Sequence, residues 1–135
     1  MSTIESYRVT WDEPGHNAYD SMPLGNGDIG LNVWTEAGGD LIFYIGKTDS
    51  WDDYGRLVKV GRVRLSLDPG PGGATREFSQ TLMGKDATVE IRWGEGQDAA
   101  ALRIWVDANH PLIELEVDTP EAVRATASIE LWRTT

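Results

Sequence analysis

Alternation of apolar and polar residues with a period of two runs through most of this chain, and it restricts the fold more than any other feature. Ala87, Val89, Ile91 and Trp93 alternate with Thr88, Glu90 and Arg92. Ala100, Leu102, Ile104 and Val106 alternate with Arg103, Trp105 and Asp107, and Ile113, Leu115 and Val117 with Glu114, Glu116 and Asp118. Val63, Leu65 and Leu67 follow the same rule, as do Val123, Ala125, Ala127, Ile129 and Leu131. Successive side chains of a strand point to opposite faces, so each run offers one face to a core and one to water. Further strands are expected at residues 7–11, 29–35, 41–45 and 76–82. Turn formers separate the runs, among them Ala37-Gly38-Gly39-Asp40, the Pro/Gly cluster from Asp68 to Gly73, Gly94-Glu95-Gly96-Gln97, Asn109-His110-Pro111 and Thr119-Pro120. Helical periodicity is not sustained anywhere; only residues 50–57 suit a short helical turn. A sheet with one apolar face must cover it with a second layer, so the expected fold class is all-β, an antiparallel β-sandwich built from successive hairpins.

The 135 residues suit one domain with a single adequate core. No interior linker, low-complexity tract or repeat divides residues 1–135. The 22 acidic residues against 12 basic give a formal net charge of −10. Such a surface disfavours nucleic acid, whose phosphates need cations, and anionic membrane surfaces. No apolar run is long enough to span a bilayer. A neutral partner such as a sugar is not disfavoured. With no cysteine, disulfides, thiolate metal sites and a cysteine nucleophile are excluded. The first eight residues carry no apolar signal core.

Two segments could carry chemistry. Gly25-Asn26-Gly27-Asp28-Ile29-Gly30 fits the spacing G-x-G-x-x-G. That motif binds a pyrophosphate only between a strand and a helix whose N-terminus faces the ligand. Here Met22-Pro23 precedes it and the strand-like Leu31-Asn32-Val33-Trp34 follows, so the expectation is a tight glycine turn and no nucleotide site. Lys47-Thr48-Asp49-Ser50-Trp51-Asp52-Asp53-Tyr54-Gly55 sets carboxylates beside aromatic rings. Sugars need this mixture: flat rings for C–H faces and carboxylates for hydroxyls. The bland alternative is a polar loop with one buried Trp. A calcium loop does not fit, because Ser50-Trp51 breaks the alternating-oxygen spacing. His16 and His110 lack ligand partners at metal spacing, and no G-x-S-x-G elbow occurs. No catalytic, cofactor-binding or metal-binding residue is therefore nominated.

Six tryptophans are many for this length. Trp93 and Trp11 fall on the apolar side of their strands and suit a core. Trp34, Trp105 and Trp132 fall opposite the aliphatic residues of theirs, where they could stack a sugar or cover more protein. The candidate contacts to carbohydrate or a neighbouring domain are Asn26, Asp28, Trp34, Asp49, Trp51, Asp52, Asp53 and Tyr54.

From Met22 to Trp34, through Pro23-Leu24-Gly25-Asn26-Gly27, and again at Asp49-Ser50-Trp51 and from Lys59 to Leu65, the chain resembles the N-terminal domain of glycoside hydrolase family 95, the α-L-fucosidase-like proteins, and within it an uncharacterised N-terminal branch. The resemblance implies a supersandwich-like β-sandwich preceding an (α/α)6 barrel that carries the catalytic groups. It also implies that this chain is the N-terminal part of a longer, secreted or periplasmic protein, with the downstream helical barrel as its partner. No catalytic residue carries over to this sequence. Tyr44 and Ile45 stand where that pattern is more polar, so fucose specificity is not implied. The leading expectation is a noncatalytic accessory domain that supports the barrel and contacts an oligosaccharide. A stand-alone carbohydrate-binding module and a structural interaction domain that self-associates remain as alternatives.

Overall fold

The computed structural model describes residues 3–71 and 77–131. Among them ten strands follow in order: β1 (Arg8–Trp11), β2 (Met22–Gly25), β3 (Ile29–Thr35), β4 (Leu41–Trp51), β5 (Leu57–Asp68), β6 (Phe78–Met83), β7 (Thr88–Trp93), β8 (Ala100–Val106), β9 (Ile113–Asp118) and β10 (Arg124–Glu130). Single turns of 3-10 helix occur at Thr3–Ser6, Ala18–Asp20 and Gly96–Asp98. One five-stranded sheet has the order β1-β6-β7-β8-β9 and the other the order β10-β5-β4-β3-β2. Every pairing is antiparallel. The chain is an antiparallel β-sandwich, as the period-two pattern requires.

The inward faces meet in a core of Leu31, Val33, Leu41 and Phe43 from one sheet and Val89, Ile91, Trp93, Leu102 and Ile104 from the other. Each fully buried aliphatic or aromatic side chain contributes roughly 1.5–3 kcal/mol by leaving water. One polar bridge crosses this core. Thr35 Oγ1 donates to Gln80 Oε1 at 2.9 Å, and Gln80 Nε2 reaches the carbonyl of Val33 at 3.4 Å. Both groups are buried, and each satisfies the other's need for a partner.

The outer face of β3 and β4 is buried as well at Trp34 and Ile42. Residues 12–21 cross from β1 to β2 over it: the Gly15 amide donates to the Thr35 carbonyl at 2.7 Å, and a Cβ on Gly15 would lie 3.5 Å from that of Trp34. Trp34 and Ile42 are buried there, with the Tyr44 ring 5.3 Å from that of Trp34. This explains why Leu41-Ile42-Phe43 is a continuous apolar run, since both faces need apolar residues. Beside it Arg64 donates to Glu36 at 2.9 Å, Asp40 at 3.0 Å and Glu130 at 2.8 Å, which raises its pKa further above the ordinary guanidinium value.

The opposite edge is open. β10 pairs with β5 along its whole length, from Arg124 opposite Asp68 to Glu130 opposite Arg62. Yet Ala125, Ala127, Ile129 and Leu131, expected on a core face, are exposed. Alternation sorts residues by face; it does not supply a second sheet to cover that face. In the other sheet Ile113, Leu115 and Val117 of β9 are likewise only partly buried. Val9 on the edge strand β1 and the adjoining Tyr7 are exposed too, while Trp11 packs on the core.

Two boundaries differ from expectation. β4 runs on to Trp51, and residues 50–57 form the end of a β-hairpin instead of a helical turn. β2 is a strand despite Pro23, which sits on the sheet edge where no amide donor is needed. Arg76, Gly72, Gly73 and Trp132 lie outside the described residues.

Candidate functional site

The site begins at the turn between β2 and β3. The Asn26 amide donates to the Ile29 carbonyl at 3.1 Å, closing the hairpin. Asn26 Oδ1 accepts from the amides of Asp28 at 3.0 Å and Ile29 at 2.8 Å. Gly27 has φ +94°, a conformation that L side chains rarely adopt. A Cβ on Gly25 would stand 2.8 Å from the Ile29 carbonyl oxygen. The glycines therefore serve hairpin geometry. A strand follows them, as expected, and no helix N-terminus faces a phosphate.

Asn26 also reaches across the sandwich. Its Nδ2 donates to the Asp107 carbonyl at 2.8 Å, in the loop between β8 and β9 of the other sheet. There Asp107 Oδ1 accepts from the amides of Asn109 at 2.8 Å and His110 at 2.9 Å, and lies 3.0 Å from His110 Nδ1. The Asn109 amide, then the His110 ring, hold the Asp107 carboxyl below the ordinary carboxylate value. With both ends of its amide engaged inside the protein, Asn26 is a tie between sheets.

Asp28 joins this turn to β4. Its carbonyl accepts from the Thr48 amide at 3.0 Å, and its carboxylate from the Thr48 hydroxyl at 2.5 Å and from Lys47 Nζ at 3.2 Å. Lys47 also donates to Asp49 at 3.0 Å. The Thr48 hydroxyl, then Lys47, lower the Asp28 pKa; Asp49, then Asp28, raise that of Lys47. Trp51 Nε1 donates to the Thr48 carbonyl at 2.8 Å, which fixes the indole against the same strand.

From here the hairpin projects. The last β3–β4 pair is Ile29 with Lys47, but β4 and β5 remain paired out to Trp51 and Leu57, with register shifts on either side of Gly46. At its tip Asp52 accepts from the amides of Tyr54 at 3.0 Å and Arg56 at 2.9 Å and from Arg56 Nε at 2.7 Å. Asp52 thus builds the turn, as Asp side chains often do. Gly55 supplies the positive φ of +74°. The Arg56 guanidinium lies 5.4 Å from the centre of the Tyr54 ring. Trp51 is 58% exposed and Tyr54 85%, and Asp53 is exposed beside them.

The structure therefore brings together Asn26, Asp28, Asp49 and Trp51, and carries Asp52, Asp53 and Tyr54 to the hairpin tip. Trp34 is corrected: at 2% exposure beneath residues 12–21 it is unavailable to a sugar or another domain. Its position opposite the strand's aliphatic residues has its reason in the second buried face. Lys47, Thr48, Asp107 and His110 belong to the cluster but were not singled out from sequence. The first two lie inside the carboxylate-rich segment, and His110 lies in a turn where it has no ligand partner at metal spacing. A cleft of about 540 Å³, lined by Leu67, Pro69, Ala100 and Thr119 among others, shares no residue with the cluster. Among the described residues, no three His, Cys, Asp or Glu side chains are grouped to hold a metal ion, and no helix is long and apolar enough to cross a membrane.

Fold and site define a class: an antiparallel β-sandwich from which an aromatic-tipped hairpin projects, braced at its base by a polar cluster. The chain belongs to the family described as Domain of unknown function (DUF5703), matching its N-terminal domain over residues 10–135. That match carries no assignment to glycoside hydrolase family 95. No curated protein matches the chain.

Proposed function

We propose that this domain is a noncatalytic N-terminal accessory module of a glycoside hydrolase-like protein, which braces a downstream helical barrel and presents Trp51, Tyr54, Asp49 and Asp53 towards it and its carbohydrate. The observation that carries this reading is the bracing of the projecting hairpin by Asp28, through Lys47 and Thr48. A hairpin fixed at its base holds its exposed aromatic rings in place before binding, which lowers the ordering cost of an interface. Exposed Trp and Tyr beside carboxylates suit both a sugar face and a domain surface. The barrel and the exported location come from the resemblance to family 95 N-terminal domains, and a net charge of −10 does not disfavour a neutral glycan.

The test compares the isolated domain with a longer polypeptide that includes the helical region. Backbone exchange at residues 47–57 should slow in the longer protein, and the isolated domain should show little affinity for neutral oligosaccharides. Tight sugar binding by the isolated domain, lost in Trp51→Ala, would favour a stand-alone binding module. Unchanged exchange at the hairpin together with no sugar binding would defeat the proposal.

A further inference from the structure

The four edges of the two sheets are not alike. β1 and β2 have four residues each, and β2 contains Pro23. β9 carries Glu114, Glu116 and Asp118. Short length, proline and charge are the usual means by which an edge resists pairing with another strand. β10 is seven residues long and lacks proline, and its charges stand only at its ends, Arg124 and Glu130, with Ala125, Thr126, Ala127, Ser128 and Ile129 between them. Among the described residues, its remaining row of amides and carbonyls has no partner strand in the sheet. Ile129 is 76% exposed and Leu131 66%.

We propose that β10 is a homodimer edge, pairing antiparallel with β10 of a second copy about a two-fold axis at Ala127, so that the sheets of the two copies become continuous. The sequence of the strand selects both the occupant and the register. With Ala127 opposite itself, Arg124 stands across from Glu130 of the second copy, Thr126 from its Ser128 and Ala125 from its Ile129. On the outer face every pair is then opposite in charge or able to hydrogen-bond. On the inner face Leu131 comes opposite Val123 of the second copy, so apolar residues meet apolar residues. Opposed cross-strand pairs of these kinds stabilise a sheet. Keeping outer residues on the outer face allows only shifts of two residues in the opposing strand. Either shift shortens the overlap and removes the pairing of Arg124 with Glu130. Glu130 is already held by Arg62 and Arg64 of its own chain, so its carboxylate is fixed in position before the second copy arrives.

The absence of cysteine makes the register directly testable. Residues opposed in an antiparallel pair have Cα atoms about 4.5–5.5 Å apart, within the range a disulfide spans. Under mild oxidation Ala127→Cys should cross-link to a covalent dimer with most of the protein converted, while Ala125→Cys, opposite Ile129, should not. By sedimentation the unmodified chain should show a dimer of the 14.9 kDa protein. Ala127→Lys, which places two ammonium groups at the axis, should give a monomer with an unchanged circular dichroism spectrum. A chain that stays monomeric at high concentration overturns the proposal. So does equal cross-linking at both cysteine positions, or slow amide exchange along β10 in a monomer, which would assign the edge to some other strand.

Discussion

Thr48 gives Asp28 two hydrogen bonds, one from its hydroxyl to the carboxylate at 2.5 Å and one from its amide to the carbonyl at 3.0 Å. Residues 20 positions apart in sequence thereby lock the β2–β3 turn to the base of the projecting hairpin. In Asp28→Ala the carboxylate contacts vanish while the backbone contact stays. Exchange of the amides from Lys47 to Trp51 should quicken, with little change in the global melting temperature. Asp28→Asn, which can still accept from Thr48, should recover much of the protection. Identical exchange in wild type and Asp28→Ala would show that the brace has no mechanical effect.

The same contact sets a pH dependence. The Asp28 pKa is lowered from 3.8, first by the Thr48 hydroxyl and then by Lys47. A carboxyl whose folded pKa lies below its unfolded one stabilises the fold above the unfolded value and loses that contribution as pH falls through the folded value. The bracing of the hairpin should therefore hold above pH 3.8 and be lost only as pH falls through the folded value of Asp28, which lies below it. Carboxyl titration by NMR, followed alongside the Thr48 amide, should give one shared midpoint below 3.8. A midpoint at or above that value would contradict the contact.

The buried bridge between Thr35 and Gln80 predicts a non-additive double-mutant cycle. Thr35→Val strands the Gln80 carbonyl oxygen and Gln80→Leu strands the Thr35 hydroxyl. Each should destabilise the fold by about 1–3 kcal/mol in urea unfolding. The double variant removes both polar groups and should be more stable than the sum of the two losses predicts. Simple additivity would mean that the two side chains do not depend on each other.

The glycines near the turn separate by contact. A Cβ at Gly25 would collide with the Ile29 carbonyl, which belongs to the hairpin backbone and cannot swing away. At Gly30 a Cβ would meet nothing within 4 Å. Gly25→Ala should lower the melting temperature and loosen the tie from Asn26 to Asp107, whereas Gly30→Ala should be neutral or slightly stabilising, by up to about 1 kcal/mol. Equal losses at both positions would refute this assignment.

Much of the fold was legible because strand alternation is a local property. The limits of Ile29–Thr35 match the pattern residue for residue, and the alternating run that begins at Ala100 is a strand to Val106. The outer half of the β4–β5 hairpin, from Gly46 to Trp51, is polar and interrupted by register shifts, so no clean alternation marks it. Of the site, the carboxylates and rings of residues 47–55 were visible as composition. That Asn26 would be spent on joining two sheets, and Asp52 on building its own turn, was not visible, since both roles depend on backbone groups that sequence does not locate.

By itself the sequence determined the all-β class, the placement of most strands and the glycine-built turn, because face alternation and the steric freedom of glycine act within a few residues. Tertiary structure alone decided which apolar faces would be covered. Burial depends on what lies opposite, so Trp34 disappeared beneath residues 12–21 while Ile129, with no sheet above it among the described residues, stayed in water.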